Sequence, residues 1–282
     1  MRRIVMGILV IVLVSMPLAA YAEDLLVVMS LRSSGYSEVV DAARKTCNVS
    51  FREIYLNEAT DIDLARIVRE SRAKVVLAVG DKALRMATAS LPRTPVIGVL
   101  TLETQPAGRN VKSISYLAKP EKYMALMQQL GRRKVGVVYG GQMAPYIKKA
   151  EKIASDYNIL LEKRPISGPP EVISALASLV GQVDALWILP DSSVLTQATI
   201  EDLFNFAKAT NVPAIVFSKN YLKVGAAVAL EPERSSMGTQ AGTFICETVG
   251  VAPKGSLATN SNPMYSIQSN YTILNKLGIP VP

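Results

Sequence analysis

The 282-residue chain contains no histidine, only two cysteines and a single tryptophan. Without histidine there is no Ser-His-Asp triad, no imidazole for acid–base work and no imidazole ligand for a metal. Two cysteines alone make no zinc site of the usual kind. No metal and no cofactor is therefore expected. Cys47 and Cys246 leave two readings open: a disulfide in an oxidising compartment, or two buried free thiols. There is also no long basic stripe interleaved with aromatics. The densest basic group is Arg132-Arg133-Lys134. The basic excess reads as a solvated surface, and nucleic acid is not an expected partner.

Long apolar runs are missing as well, except at the start. Arg2 and Arg3 precede an almost wholly apolar stretch, 4–18, followed by Ala20-Tyr21-Ala22 and then Glu23-Asp24. That is the layout of a secretory leader, with cleavage expected after Ala22; the alternative is an uncleaved membrane anchor. The run is short of the ~20 residues that a membrane span needs, so no stable insertion is expected once the leader is gone. Taking 22 residues from 282 leaves 260, enough for one large domain or two smaller ones. Losing Arg2 and Arg3 lowers the basic count from 31 to 29 against 23 acidic residues, a net charge of +6. The expected location is the periplasm.

What is present is alternation. Short β-branched runs at 25–29, 75–79, 96–100, 135–139, 185–189 and 214–217 read as buried strands. Between them, 36–46, 61–71, 82–90, 121–130, 144–157, 171–180 and 196–209 carry helical spacing. Ser37 or an earlier residue near Gly35 is expected to open the first helix, and Asp61 to cap the second. Strand–helix alternation argues for an α/β fold of parallel sheets covered on both faces.

The pattern occurs twice. VVLAVGDKALRMATASLPRTPVIGVL and ALWILPDSSVLTQATIEDLFNFAKATNVPAIVFS each run strand, acid-bearing turn, helix, proline, strand. The expected architecture is two doubly wound parallel-sheet lobes joined by three crossovers, near 104–118, 224–233 and 252–265, with a cleft between. The first lobe is expected to hold 23–112 plus 226–263, and the second 113–225 plus 264–282. Open α/β sheets bind ligands beyond the carboxyl ends of their strands, so the site candidates are the residues at those ends.

Asp191, Ser192 and Ser193 are the foremost of these. The carboxylate is suited to accept hydrogen bonds from a ligand ammonium, amide or hydroxyl; the alternative is a helix cap. Asp81 and Lys82 are the first-lobe counterparts, with a ligand carboxylate at Lys82 set against an Asp cap and an exposed lysine. Ser33, Ser34 and Tyr36 follow the first strand, beside Gly35, which allows close backbone approach. Tyr139 and Gly140 hold the parallel place in the second lobe. Lys219 follows the last strand of the repeat and suits either a carboxylate or solvent. Trp187 reads as core. If both acid turns share one cleft, Asp191→Ala should cost ligand affinity more than stability.

Several stretches, in order along the chain, resemble one family. RKVGVVYG resembles the strand opening its second lobe, and ALWILPDSSV, TNVPAIVFS and KVGAAVAL resemble that lobe's second half. MGTQAGTFICETV resembles the helix after the return crossing, and SNYTILNKLGIPVP resembles the terminal Asn-x-x-x-A-x-x-x-Gly-[IV]-x-[IL]-Pro, with Leu274 and Asn275 in place of small residues. The chain thus resembles the ABC-transporter substrate-binding protein family that includes tryptophan/tyrosine-type binding proteins, with a periplasmic-binding-protein class I fold. Thr101–Thr104 and Gly80-Asp81-Lys82 depart from the family's usual Asp-Pro turn and hydroxyl residues. The resemblance implies a non-enzymatic, monomeric protein that closes two lobes on a small solute, an amino acid or peptide-like molecule, and delivers it to an ABC permease. A ligand-sensing module coupled to a membrane sensor is the other reading.

Overall fold

The computed structural model describes residues 23–58, 61–102, 108–254 and 263–282. The expected leader, 1–22, lies outside the described residues, as do parts of the 104–118 and 252–265 crossings and the end of the Thr101–Thr104 turn.

The first lobe runs β1 (Leu25–Met29), α1 (Ser34–Thr46), β2 (Phe51–Tyr55), α2 (Leu64–Ser71), β3 (Val75–Val79), α3 (Asp81–Ser90), β4 (Val96–Thr101) and β5 (Val111–Ser115). Its sheet has the order β2-β1-β3-β4-β5 and is parallel throughout. The second runs α4 (Pro120–Gln129), β6 (Lys134–Gly140), α5 (Ala144–Ala154), β7 (Leu160–Ile166), α6 (Val172–Ala177), β8 (Ala185–Trp187), α7 (Ile200–Thr210), β9 (Ala214–Val216) and β10 (Val228–Pro232). After these come α8 (Arg234–Val249), β11 (Tyr265–Ser269) and α9 (Tyr271–Lys276). The second sheet has the order β7-β6-β8-β9-β10-β11, with only β11 antiparallel. Numbered within its own lobe, each sheet has its five parallel strands in the order 2-1-3-4-5.

The expected two-sheet α/β architecture is observed, and its local causes are legible. LLVVM and VVLAV are buried at every position, as interior strands covered on both faces must be. Each sheet has an apolar cluster on either face: α1 and α8 against α2 and α3 in the first lobe, α4 and α5 against α6 and α7 in the second. Trp187 is 1% exposed and packs between Tyr123 and Tyr146, at ring-centroid distances of 4.9 and 5.9 Å.

Several boundaries differ from expectation. Val228–Pro232, expected in the first lobe, is the fifth strand of the second sheet, and Val111–Ser115 belongs wholly to the first. Ser33, not Ser37, caps α1, and Asp63, not Asp61, caps α2 through a 2.9 Å bond from the Arg66 amide. The seventh helix begins at Ile200 rather than Thr196. The Thr196 and Thr199 hydroxyls bond to each other and to nearby backbone, holding 196–199 in turns.

One helix changes lobes. α8 follows a second-lobe strand but packs on α1, β3, β4 and β5 of the first. Gly238 and Gly242, one turn apart, permit this: a Cβ on either would lie 2.3 Å from the Val39 carbonyl oxygen or 2.6 Å from that of Ala43. Cys47 and Cys246 then form a disulfide joining the end of α1 to α8, with Cα atoms 5.5 Å apart and a sequence separation of 199. This settles the open question about the two thiols.

A bridge closing so long a loop restricts the unfolded chain, an effect typically worth ~2–4 kcal/mol. The double variant Cys47→Ser, Cys246→Ser should lower the urea midpoint by a corresponding amount. A midpoint equal to that of the oxidised protein would show that α1–α8 packing suffices alone.

Candidate functional site

In the first lobe the strand exits are tied together by side chains. Ser30 follows β1; its Oγ donates to the Val79 carbonyl at 3.0 Å and accepts from the Ala83 amide at 2.9 Å, so it caps α3 from a neighbouring strand. Tyr36 is half-buried beside it, and burial followed by the Asp81 charge pushes its hydroxyl above the usual tyrosine range. Ser33 accepts from the Tyr36 amide, while Ser34 is exposed. Asp81 does not cap α3. Its Oδ1 accepts from the Leu102 amide at 2.9 Å and so braces the exit of β3 against that of β4. Lys82 donates to the Leu56 carbonyl at 3.3 Å, beyond the end of β2.

The second lobe repeats the device on the other side. Asp191 is 3% exposed. Its Oδ2 accepts from the Gly140 amide at 2.6 Å and its Oδ1 from the Ser193 amide at 2.9 Å. The β6 exit is thereby locked to the β8 exit. Gly140 is required there, because a Cβ would lie 2.6 Å from the Ser193 hydroxyl oxygen and 3.3 Å from Asp191 Oδ1. Tyr139 is half-buried against the α4/α5 core and Ser192 is exposed. Asp81 and Asp191 thus occupy the same place, after the third strand of each lobe. No hydrogen bond or ion pair joins them among the described residues. Both carboxylate oxygens of Asp191 are engaged by backbone amides.

A third cluster went unnoticed in the sequence. Glu231, in β10, is 5% exposed. Its Oε1 accepts from the Tyr116 hydroxyl at 3.1 Å, Arg234 Nη2 at 3.1 Å and the Ser218 hydroxyl at 3.4 Å. Its Oε2 accepts from the Lys219 amide at 3.2 Å, while the Lys219 side chain is exposed. Burial, then the neighbouring Glu231 charge, pushes the Tyr116 hydroxyl up to about 12. Arg234 reaches both lobes: its Nη1 lies 3.9 Å from Glu38 of α1, and its Nε would be 3.2 Å from a Cβ on Gly35.

Around this cluster is a cavity of about 360 Å³, lined by Tyr116, Phe217, Ser218, Asn220, Tyr221 and Arg234 among others. Phe217 meets Tyr116 edge-on at 6.3 Å and Tyr221 at 5.3 Å. The arrangement supplies aromatic faces and a guanidinium for a carboxylate. The available signal was the acid inside the apolar run VALEPER, since a charge in a buried strand needs partners. No group of acids and cysteines able to hold a metal occurs among the described residues.

The model of the family described as ABC transporter substrate binding protein matches residues 63–282. A tyrosine-binding protein of Clostridioides difficile (strain R20291) is 22% identical over 187 residues, 64% of this chain and 52% of that protein, so the match spans about half the relative's length. The ligand-free, open structure of a substrate-binding protein with adhesive properties from Clostridium difficile has a TM-score of 0.68 at 16% identity, covering 92% of this chain and 96% of that one. A Streptococcus pneumonia ABC domain in complex with L-Trp has a TM-score of 0.63 at 14% identity, covering 92% and 95%. At these identities the solved structures speak to the fold, which is that of the class I periplasmic binding proteins.

Substituting the braces should separate their roles. Asp191→Ala orphans two amides in a buried setting and should cost about 3 kcal/mol in urea unfolding. Asp81→Ala, which frees one amide at a half-exposed site, should cost about 1 kcal/mol. Equal losses, or none at Asp191, would contradict the bracing role.

Proposed function

Since the chain belongs to the ABC transporter substrate-binding protein family, we propose that it is exported, captures an amino acid or peptide-like solute between its lobes and delivers it to an ABC permease. The observation that carries the choice of solute is the aromatic cavity at the β9 exit, where Arg234 stands beside Tyr116 and Phe217. An aromatic amino acid matches it in its ring and its carboxylate. The ring lies against Phe217 and Tyr221, and the carboxylate meets the Arg234 donors not held by Glu231. The tyrosine and tryptophan named for two relatives agree with this choice.

The exits that the sequence singled out complete the binding surface in this reading. Ser33, Ser34 and Tyr36 face the solute from the first lobe. Ser192, Ser193 and Lys219 do so from the second. Asp81, Lys82, Tyr139, Gly140 and Asp191 hold the loops that carry them. Arg234, in contact with both lobes, lies where closure about the crossings would be sensed. The Cys47–Cys246 bridge suits an oxidising compartment and supports export, as the leader-like start does. No helix among the described residues is long and apolar enough to cross a membrane. The protein works as a monomeric carrier and not as an enzyme: it has no histidine, and the two candidate acids are committed to backbone amides.

The protein should be stripped of bound solute by unfolding and refolding, then screened by thermal shift against the amino acids and a dipeptide set. L-tryptophan or L-tyrosine is expected to raise Tm, and Phe217→Ala and Arg234→Ala to abolish the rise. If no amino acid or dipeptide raises Tm, the solute assignment fails. Intact mass of protein recovered from the periplasm of an expressing cell should correspond to a chain starting at Glu23.

A further inference from the structure

A second cavity, of about 350 Å³, lies across the first crossing from the aromatic pocket. Ser115 and Leu117 line it, whereas Tyr116, between them, lines the other. Its walls come from both lobes. Ser113 of β5 and Gln240 of α8 belong to the first lobe, and Tyr146 and Lys149 of α5 with Tyr265 of β11 to the second.

Two buried acceptors here lack donors. Gln240 lines the wall, and its Oε1, buried behind that surface, has no hydrogen-bond partner. Neither has Glu121 Oε2, one residue after the wall residue Pro120 and close enough to Tyr146 to help raise its hydroxyl above the usual range, after burial and two tyrosines. Buried oxygens of this kind are costly unless a donor arrives. Two cations stand at the same cavity: Lys119 and Lys149 line it, are exposed and join no ion pair among the described residues.

We propose that this cavity is a second binding site, for a small hydroxy- or amino-carboxylate. The carboxylate meets Lys119 and Lys149, and a turn of the Gln240 side chain brings its Oε1 to the hydroxyl or amine as acceptor. Because the walls come from both lobes, an occupant stabilises this relative placement of the lobes over any other. Its occupancy is therefore coupled to solute capture on the far side of the crossing, and the coupling is reciprocal.

The test is calorimetric titration of the full, stripped chain with L-malate, citrate and L-serine. At least one should bind. Lys149→Glu, at an exposed position that preserves the wild-type melting temperature, should weaken it by about tenfold or more, as should Gln240→Leu. Absence of binding by all three compounds overturns the proposal, as does binding that both substitutions leave unchanged.

Discussion

The contact between α1 and α8 is the constraint on which the two-lobed arrangement rests. The chain leaves the first lobe after β5, builds a second sheet and must return. It returns as α8, whose two glycines let the α1 backbone come within contact distance where any side chain would collide. The disulfide then fastens the far end of the same pair. With α8 so held, the first lobe has its covering helix on that face, and Arg234 at the start of α8 is delivered to the junction between the lobes.

At that junction electrostatics takes over from packing. A carboxylate buried as deeply as Glu231 is tolerated only with good partners, because desolvation is expensive and removing a partner leaves a charge uncompensated. Glu231 has four, drawn from the first crossing, the β9 exit, the following backbone and the start of α8. Those partners come from segments that would have to shift if the lobes moved. The cluster therefore ties the aromatic cavity to the crossings, and it lies on the face of the first crossing opposite the cavity bearing Gln240 and the two lysines.

Much of the fold was legible along the chain. Interior strands such as LLVVM and VVLAV are uninterrupted apolar runs, because both faces are covered. The strands that escaped notice are mostly edges. Phe51–Tyr55, Val111–Ser115, Leu160–Ile166 and Tyr265–Ser269 each pair on one side only. They carry charged or polar residues where no neighbour follows, as edge strands do. Val228–Pro232 escaped for another reason: it is interior, but its buried acid and proline made it resemble a crossing.

The sequence by itself determined the alternation of strands and helices, the doubling of that pattern and the placement of an acid after the third strand of each half. Those features follow from local periodicity and from turn chemistry, which short stretches of chain express alone. Only the tertiary structure decided what the acids do. Asp81 turns to the Leu102 amide and Asp191 to the Gly140 amide, the latter 51 positions away. It also decided that Cys47 and Cys246 meet, and that Glu231, Tyr116 and Arg234 form one cluster. Such partners are chosen by the order of strands in a sheet and by which lobe a returning helix joins. Both are long-range outcomes of packing, and no local pattern in the chain encodes them.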